Sequence, residues 1–297
     1  MPEREVQRFG GNWTEDKLNT LGEYLHSYTT ALKKQPFHLT YIDAFAGTGY
    51  REAPTKESDT CLLFDEPDLQ KAKDFLDGSA RKALQTIPSF DDYIFIEMDP
   101  VRHKELLKVK DDFPEKADRI KMVSEDCNIF LQSFCKKEDW SNQRAVVFLD
   151  PHGMQVDWAT MKAIADTKAI DVWVLFPLGI AVNRLLRRDG KIQENWRKRL
   201  DRIFGTEEWY DHFYEKGKQE NLFNSEITYE KIADIDLIVE FYRNRLKEIF
   251  SGVAKKPKKL KNIKRSPLFL FCFAVGNPSP NARDLALKLA EHILEKK

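Results

Sequence analysis

An α/β fold on a doubly wound, mostly parallel sheet, carrying a helical insertion, is what this sequence predicts, and three observations predict it. Five short runs of β-branched and aromatic residues alternate with segments of helical character. The first run leads straight into a glycine turn, and open α/β sheets bind ligands outside the carboxyl ends of their strands. A late apolar run, 268–275, with an amphipathic segment behind it, supplies one more strand and helix. The length of 297 residues accommodates one α/β domain with an appendage. Three parts are expected: an N-terminal helix plus α/β core over 1–180, a helical basic insertion over 181–265, and a final strand and helix over 266–297 that complete the core.

Composition narrows the class. Hydrophobic residues at 42% and aromatics at 12% suffice for a packed core. The 48 basic and 48 acidic residues cancel, so any surface for nucleic acid must be a local patch. The charged start has no apolar h-region, and no run approaches the roughly 20 apolar residues of a membrane span. Cys61, Cys127, Cys135 and Cys272 form no C-x-x-C pair, which argues against zinc and for a reducing, cytoplasmic setting.

In chain order, Leu18, Leu21, Leu25, Tyr28 and Leu32 fall on one face of a helix that Thr14 could cap and that ends near Pro36. It either covers one side of the sheet or forms a lid, with Trp13 and Lys17 as its contacts. The strand 39–42 then meets Asp43, Phe45, Gly47 and Gly49. A nicotinamide fingerprint would need a third glycine at 52, where Glu52 stands, and a phosphate-cradling loop would need Gly-Lys-Ser/Thr. An acid four residues before two glycines suits a ligand with a cationic amino group instead. Residues 50–68 read as an irregular excursion that could gate substrate, followed by helical pattern to Ile87 that Gly78 and Ser79 interrupt.

The second strand, 93–96, ends in Glu97, whose two oxygens match two vicinal ribose hydroxyls. Pro100 suits the start of a helix with Leu106, Leu107 and Val109 as apolar positions. A third strand, 120–123, is followed by Asp126 and Cys127, where Asp126 is either a ligand acceptor or an N-cap. Ile129, Phe130 and Phe134 give the next helix its expected buried face. The fourth strand, 145–149, closes on Asp150-Pro151-His152-Gly153, in which His152 is a candidate general base or an ordinary turn residue. After a fifth strand, 171–176, come two basic stretches. The first holds Arg184, Arg187, Arg188, Lys191, Arg197, Lys198, Arg199 and Arg202; the second runs from Lys255 through Lys258 and Lys259 to Arg265. They read either as solvated faces or as contacts to a phosphate backbone.

The turn D-A-F-A-G-T-G resembles the first motif of class I S-adenosylmethionine (SAM)-dependent methyltransferases. That resemblance implies SAM as cofactor, with Asp43, Phe45, Gly47 and Gly49 at its methionine end. Glu97, Asp126 and Cys127 would lie at its nucleoside, Asp126 accepting from the adenine amino group. Asp150-Pro151 resembles the (D/N/S)-P-P-(Y/F) motif of amino-group methyltransferases, with His152 and Gly153 in place of proline and aromatic; it implies that Asp150 orients an acceptor amine. Taken with W-T-E-x-K-L, D-G-S-x-x-x-A-L, F-I-E-x-D and F-L-D-P-x-G-M-Q-V-x-W, the chain from Trp13 to about Trp173 is similar to the three-Cys-motif partner proteins (TcmP). His152 stands where that family is expected to have phenylalanine, and Ala80 where it has proline. Membership implies association with a cysteine-motif protein resembling radical-SAM enzymes, either as a methyltransferase or as a non-catalytic binding platform.

Overall fold

The computed structural model describes residues 12–49, 78–217, 228–262 and 264–296. The helix α1 (Asn12–Leu32) begins two residues before Thr14, which therefore lies inside its first turn and is not the cap. Leu18, Leu21, Leu25 and Tyr28 are buried as the spacing predicts, and Tyr24 joins them. The strands β1 (His38–Asp43), β2 (Asp92–Ile96), β3 (Ile120–Val123), β4 (Gln143–Leu149) and β5 (Ile170–Phe176) are mutually parallel. Between them run α2 (Ser79–Leu84), α3 (Pro100–Leu106), α4 (Val109–Asp112), α5 (Cys127–Lys137) and α6 (Trp158–Asp166). Gly78 is the N-cap residue of α2, and Pro100 opens α3 at N1 beside its cap Asp99. The gating expectation for 50–68 falls outside the described residues.

Beyond β5 come α7 (Asn183–Leu185), α8 (Glu194–Phe204), α9 (Trp209–Phe213), a hairpin of β6 (Tyr214–Lys216) and β7 (Tyr229–Lys231), and α10 (Ile235–Ile249). The expected helical insertion is thus interrupted by a hairpin, and its end belongs to the main sheet. β8 (Gly252–Val253) and β9 (Lys258–Lys261) both pair with β10 (Pro267–Val275), and α11 (Pro280–Glu295) closes the chain. The order is β3-β2-β1-β4-β5-β10-β8, with β10 antiparallel to β5. This is the doubly wound, mostly parallel sheet the sequence predicts, and the late strand is the one that runs in reverse. β8 and β9 run parallel to the first five strands across it.

Side-chain alternation gives the sheet two apolar faces. Tyr41, Phe95, Val146, Phe148, Trp173 and Phe273 pack towards α1, α2 and α11. Ile42, Ile94, Val147, Val172 and Val174 pack towards α5, α6, α8 and α10. Two expected apolar positions turn outward instead: Ile129 is 61% exposed and Leu107 44% exposed. The buried stripe of α5 is Cys127, Leu131 and Cys135, a strict i, i+4, i+8 row, while Phe130 and Phe134 are partly buried and stack on each other.

Candidate active site

Register places the predicted carboxylates on one edge. Asp43 lies opposite both Phe95 of β2 and Phe148 of β4. Glu97 and Asp150 each follow two residues beyond those partners, so they flank Asp43 with the parity of the α1-facing side chains. At the usual strand spacing they stand about 10 Å apart across β1. β3 pairs with β2 as far as Ile96↔Val123, which brings Asp126 to the same edge.

The turn after β1 is held by backbone bonds: Ala44 N–H to Phe148 O (3.0 Å), Ala46 N–H to Ile96 O (3.0 Å) and Gly49 N–H to Ala46 O (3.1 Å). Gly47 and Gly49 have φ of +60° and +77°, the left-handed region that side chains resist. A Cβ on Gly49 would also stand 2.7 Å from Val109. Asp43 is wholly buried beneath this turn and accepts from Phe45 N–H (3.2 Å), with the Tyr41 hydroxyl 3.5 Å away. Burial pushes its carboxyl up to about 7, against the Ser79 hydroxyl and the Phe45 amide that favour the charged form; Asp150 adds to the rise and Lys17 opposes it.

Glu97 is half-buried, and its Oε1 accepts from Asp99 N–H (2.8 Å). Asp126 is the N-cap of α5: its Oδ1 accepts from Asn128 N–H (2.8 Å) and Ile129 N–H (3.2 Å). Cys127 is buried among core residues, and burial pushes its thiol up to about 12, so it brings no reactive sulfur to this edge. Phe45 is partly buried against the α5 face of the core. Met98, at 59%, and Ile129 are exposed beside Glu97 and Asp126 respectively.

The loop after β4 carries the rest. Gly153 has φ +84°, so an aromatic residue would be strained in this turn as it stands. His152 N–H donates to Gln155 Oε1 (2.7 Å). The side-chain amide of Asn128 donates to Gln155 O (2.8 Å), and its Oδ1 accepts from Asp157 N–H (2.9 Å) and the Thr160 hydroxyl (2.8 Å). Gln155 stands in the F-L-D-P-x-G-M-Q-V-x-W stretch but the sequence assigns it no role, and nothing in the sequence points to Asn128, because their importance lies in contacts between separate loops. His152 is exposed, yet the groups packed around it still hold its imidazole below its ordinary value, first by desolvation; Arg102 and Lys17 reinforce this and Asp150 and Glu97 oppose it. Asp150, His152, Glu97, Asp43 and Lys17 therefore share one electrostatic neighbourhood. Lys17, a buried residue of α1, makes an ion pair with Asp150 Oδ2. Lys17 thus reaches the carboxyl edge of the sheet from α1 through Asp150. Trp13 packs on Phe269 of β10 (centroids 5.1 Å apart) and lies 5.6 Å from the Lys17 ammonium.

Both basic stretches are partly neutralised. Arg187 pairs with Asp189, Lys198 with Glu194, Arg202 with Asp157, Lys256 with Glu295 and Lys259 with Asp236. Arg197 lies over the Tyr210 ring (4.7 Å). Because β10 is antiparallel, its start at Pro267 sits on the carboxyl edge of the sheet, and so does the adjoining turn with exposed Lys261, Lys264 and Arg265. Among the described residues no helix is long and apolar enough to cross a membrane.

No family model and no curated protein matches the chain. Among solved structures it is similar to a Legionella pneumophila protein described by the family model DUF519, with 16% identity, TM-score 0.50, and coverage of 94% of this chain and 91% of that one. A Synechocystis magnesium protoporphyrin IX methyltransferase with bound SAH aligns over 93% of this chain and 89% of its own, at 9% identity and TM-score 0.40. For a putative SAM-dependent methyltransferase from Listeria monocytogenes the values are 86%, 97%, 10% and 0.35. At these identities the likeness is one of fold.

Proposed function

We propose that this chain is a SAM-dependent methyltransferase of the TcmP type that modifies an amino group of a nucleic acid and works beside a cysteine-motif partner protein resembling radical-SAM enzymes. The observation that carries the reading is the row of Asp43, Glu97 and Asp150 on the carboxyl edge, around a turn whose two glycines both have positive φ. The donor set fits the cofactor. Glu97 offers a half-buried carboxylate to the ribose hydroxyls, exposed Met98 and Ile129 offer apolar surface to the adenine faces, and Asp126 retains Oδ2 for its amino group. Asp43 is too deep to serve as an open contact; it fixes the turn, and a cationic amino group above it would draw its raised carboxyl back towards the charged form. Cys127 would take part only through its backbone.

The bound sulfonium supplies an electrophilic methyl group. Asp150 accepts an N–H of the acceptor amine and so turns the nitrogen lone pair towards that methyl. His152, held neutral near pH 7, takes the proton the nitrogen sheds once its new bond has formed. Exposed Arg188, Lys191 and Arg199 after β5, and Lys261, Lys264 and Arg265 beside α1, support a phosphate backbone crossing this edge. A second reading, a non-catalytic partner on the same fold, is favoured by the Lys17 ammonium already seated on Asp150.

Labelled methyl transfer to cellular RNA, DNA and protein, with and without partner, tests the proposal. We expect label in nucleic acid and a loss of about two orders of magnitude or more in Asp150→Asn, the scale for removing one positioned polar group. Unaltered turnover in Asp150→Asn would take that residue out of the mechanism. Absence of label in every fraction would leave the platform reading.

A further inference from the structure

The buried face of α1 is apolar or aromatic at Leu18, Leu21, Tyr24, Leu25 and Tyr28, yet on that face Lys17 is 5% exposed. Lysine is almost never buried without a partner. A buried ion pair is weak evidence for stability, since apolar residues of similar volume commonly serve as well or better. The helix has a separate polar anchor, the Tyr24 hydroxyl donating to Asp171 Oδ2 at 2.7 Å, at the start of β5 and so at the opposite edge of the sheet. Lys17 is thus not required to fasten α1.

What it does is visible at Asp150. Its ammonium sits on Oδ2, between the Trp13 ring (5.6 Å) and the Phe148 ring (5.8 Å), and its side chain is 6% exposed while that of Asp150 is 26% exposed. One carboxylate oxygen is therefore spoken for from the protein side, and the charge of the carboxylate is already balanced. We propose that Lys17 is a positioning residue that sets the acceptor class: it leaves Asp150 one open oxygen of compensated charge, suited to a neutral N–H donor such as an aromatic or amide amine and not to a protonated alkylamine. The inference rests on the methyltransferase reading above and narrows its substrate. A neutral donor gains a directed hydrogen bond there, whereas an ammonium would need a carboxylate free of its own counter-ion.

The test needs no acceptor. Sinefungin carries an amine in place of the methylsulfonium of SAM, so its affinity relative to S-adenosylhomocysteine reports how strongly Asp150 attracts a cation. Calorimetry on the full chain should give the wild type a preference for sinefungin below about fivefold. Lys17→Met should raise that preference about tenfold, the size of one charge-assisted hydrogen bond. Lys17→Arg should restore the wild-type ratio, and Asp150→Asn combined with Lys17→Met should abolish the gain. A merely structural lysine would shift both ligands alike. An equal shift, or none, in a Lys17→Met chain with native circular dichroism overturns the proposal, as does an Lys17→Arg ratio that follows Lys17→Met. Should the wild type bind neither ligand, the cofactor reading itself falls, and this inference with it.

Discussion

Two carboxylates on the α1 face, Asp43 and Asp171, are wholly or nearly buried, and burial pushes each up to about 7. The ordinary aspartate value near 3.9 applies in the unfolded chain. Between those values the folded protein holds protons that the unfolded chain releases, so the stability these two groups contribute is fully present below about pH 4 and is lost as pH rises through about 7. Asp171→Asn keeps an oxygen for the Tyr24 hydroxyl and removes the titration. Melting temperature followed from pH 5 to 8 should therefore fall less steeply in Asp171→Asn than in the wild type; parallel curves would show that Asp171 does not titrate in this window. The residue scale also shows where sequence reading stops. Asp43, Glu97 and Asp150 are recognisable because each closes an apolar run. The Tyr24–Asp171 and Lys17–Asp150 pairs span 147 and 133 residues of chain, and no local pattern announces such a partnership.

Helix α5 shows what periodicity settles and what it leaves open. A helix after β3 is plain from its residues, but two apolar rows compete for its buried face: Ile129, Phe130 and Phe134, or Cys127, Leu131 and Cys135. The structure buries the second row, and Ile129 turns out beside the Asp126 cap. Leu131→Ala should cost about 2–5 kcal/mol by leaving a cavity, whereas Ile129→Ser should stay within about 0.5 kcal/mol. Denaturant melts of the two variants check the register, and a large loss in Ile129→Ser would refute it. The same serine variant should weaken SAM if Ile129 covers an adenine face. β9 was illegible for a related reason. Only Leu260 of Lys-Lys-Leu-Lys is buried, and the lysines hold an edge strand that reads from sequence as a charged run.

At the scale of the molecule, the alternation of strands and helices foretold the parallel sheet, and the apolar run before the last helix foretold the strand β10, though not its direction. The two-strand completion by β8 and β9 escaped notice because both are short and sit among charges. The fold then brings separately recognised motifs to one edge: the glycine turn of β1, the acid of β2, the cap of α5 and the Asp150 loop of β4. The central claim is that this edge holds SAM. Calorimetric titration of the full chain with SAM tests it most directly, with Glu97→Ala as the control. The account predicts saturable one-site binding, weakened about 10- to 150-fold in Glu97→Ala, the range for hydrogen bonds to a charged group. A folded wild-type chain that takes up no SAM, or that binds it equally well without Glu97, would contradict it.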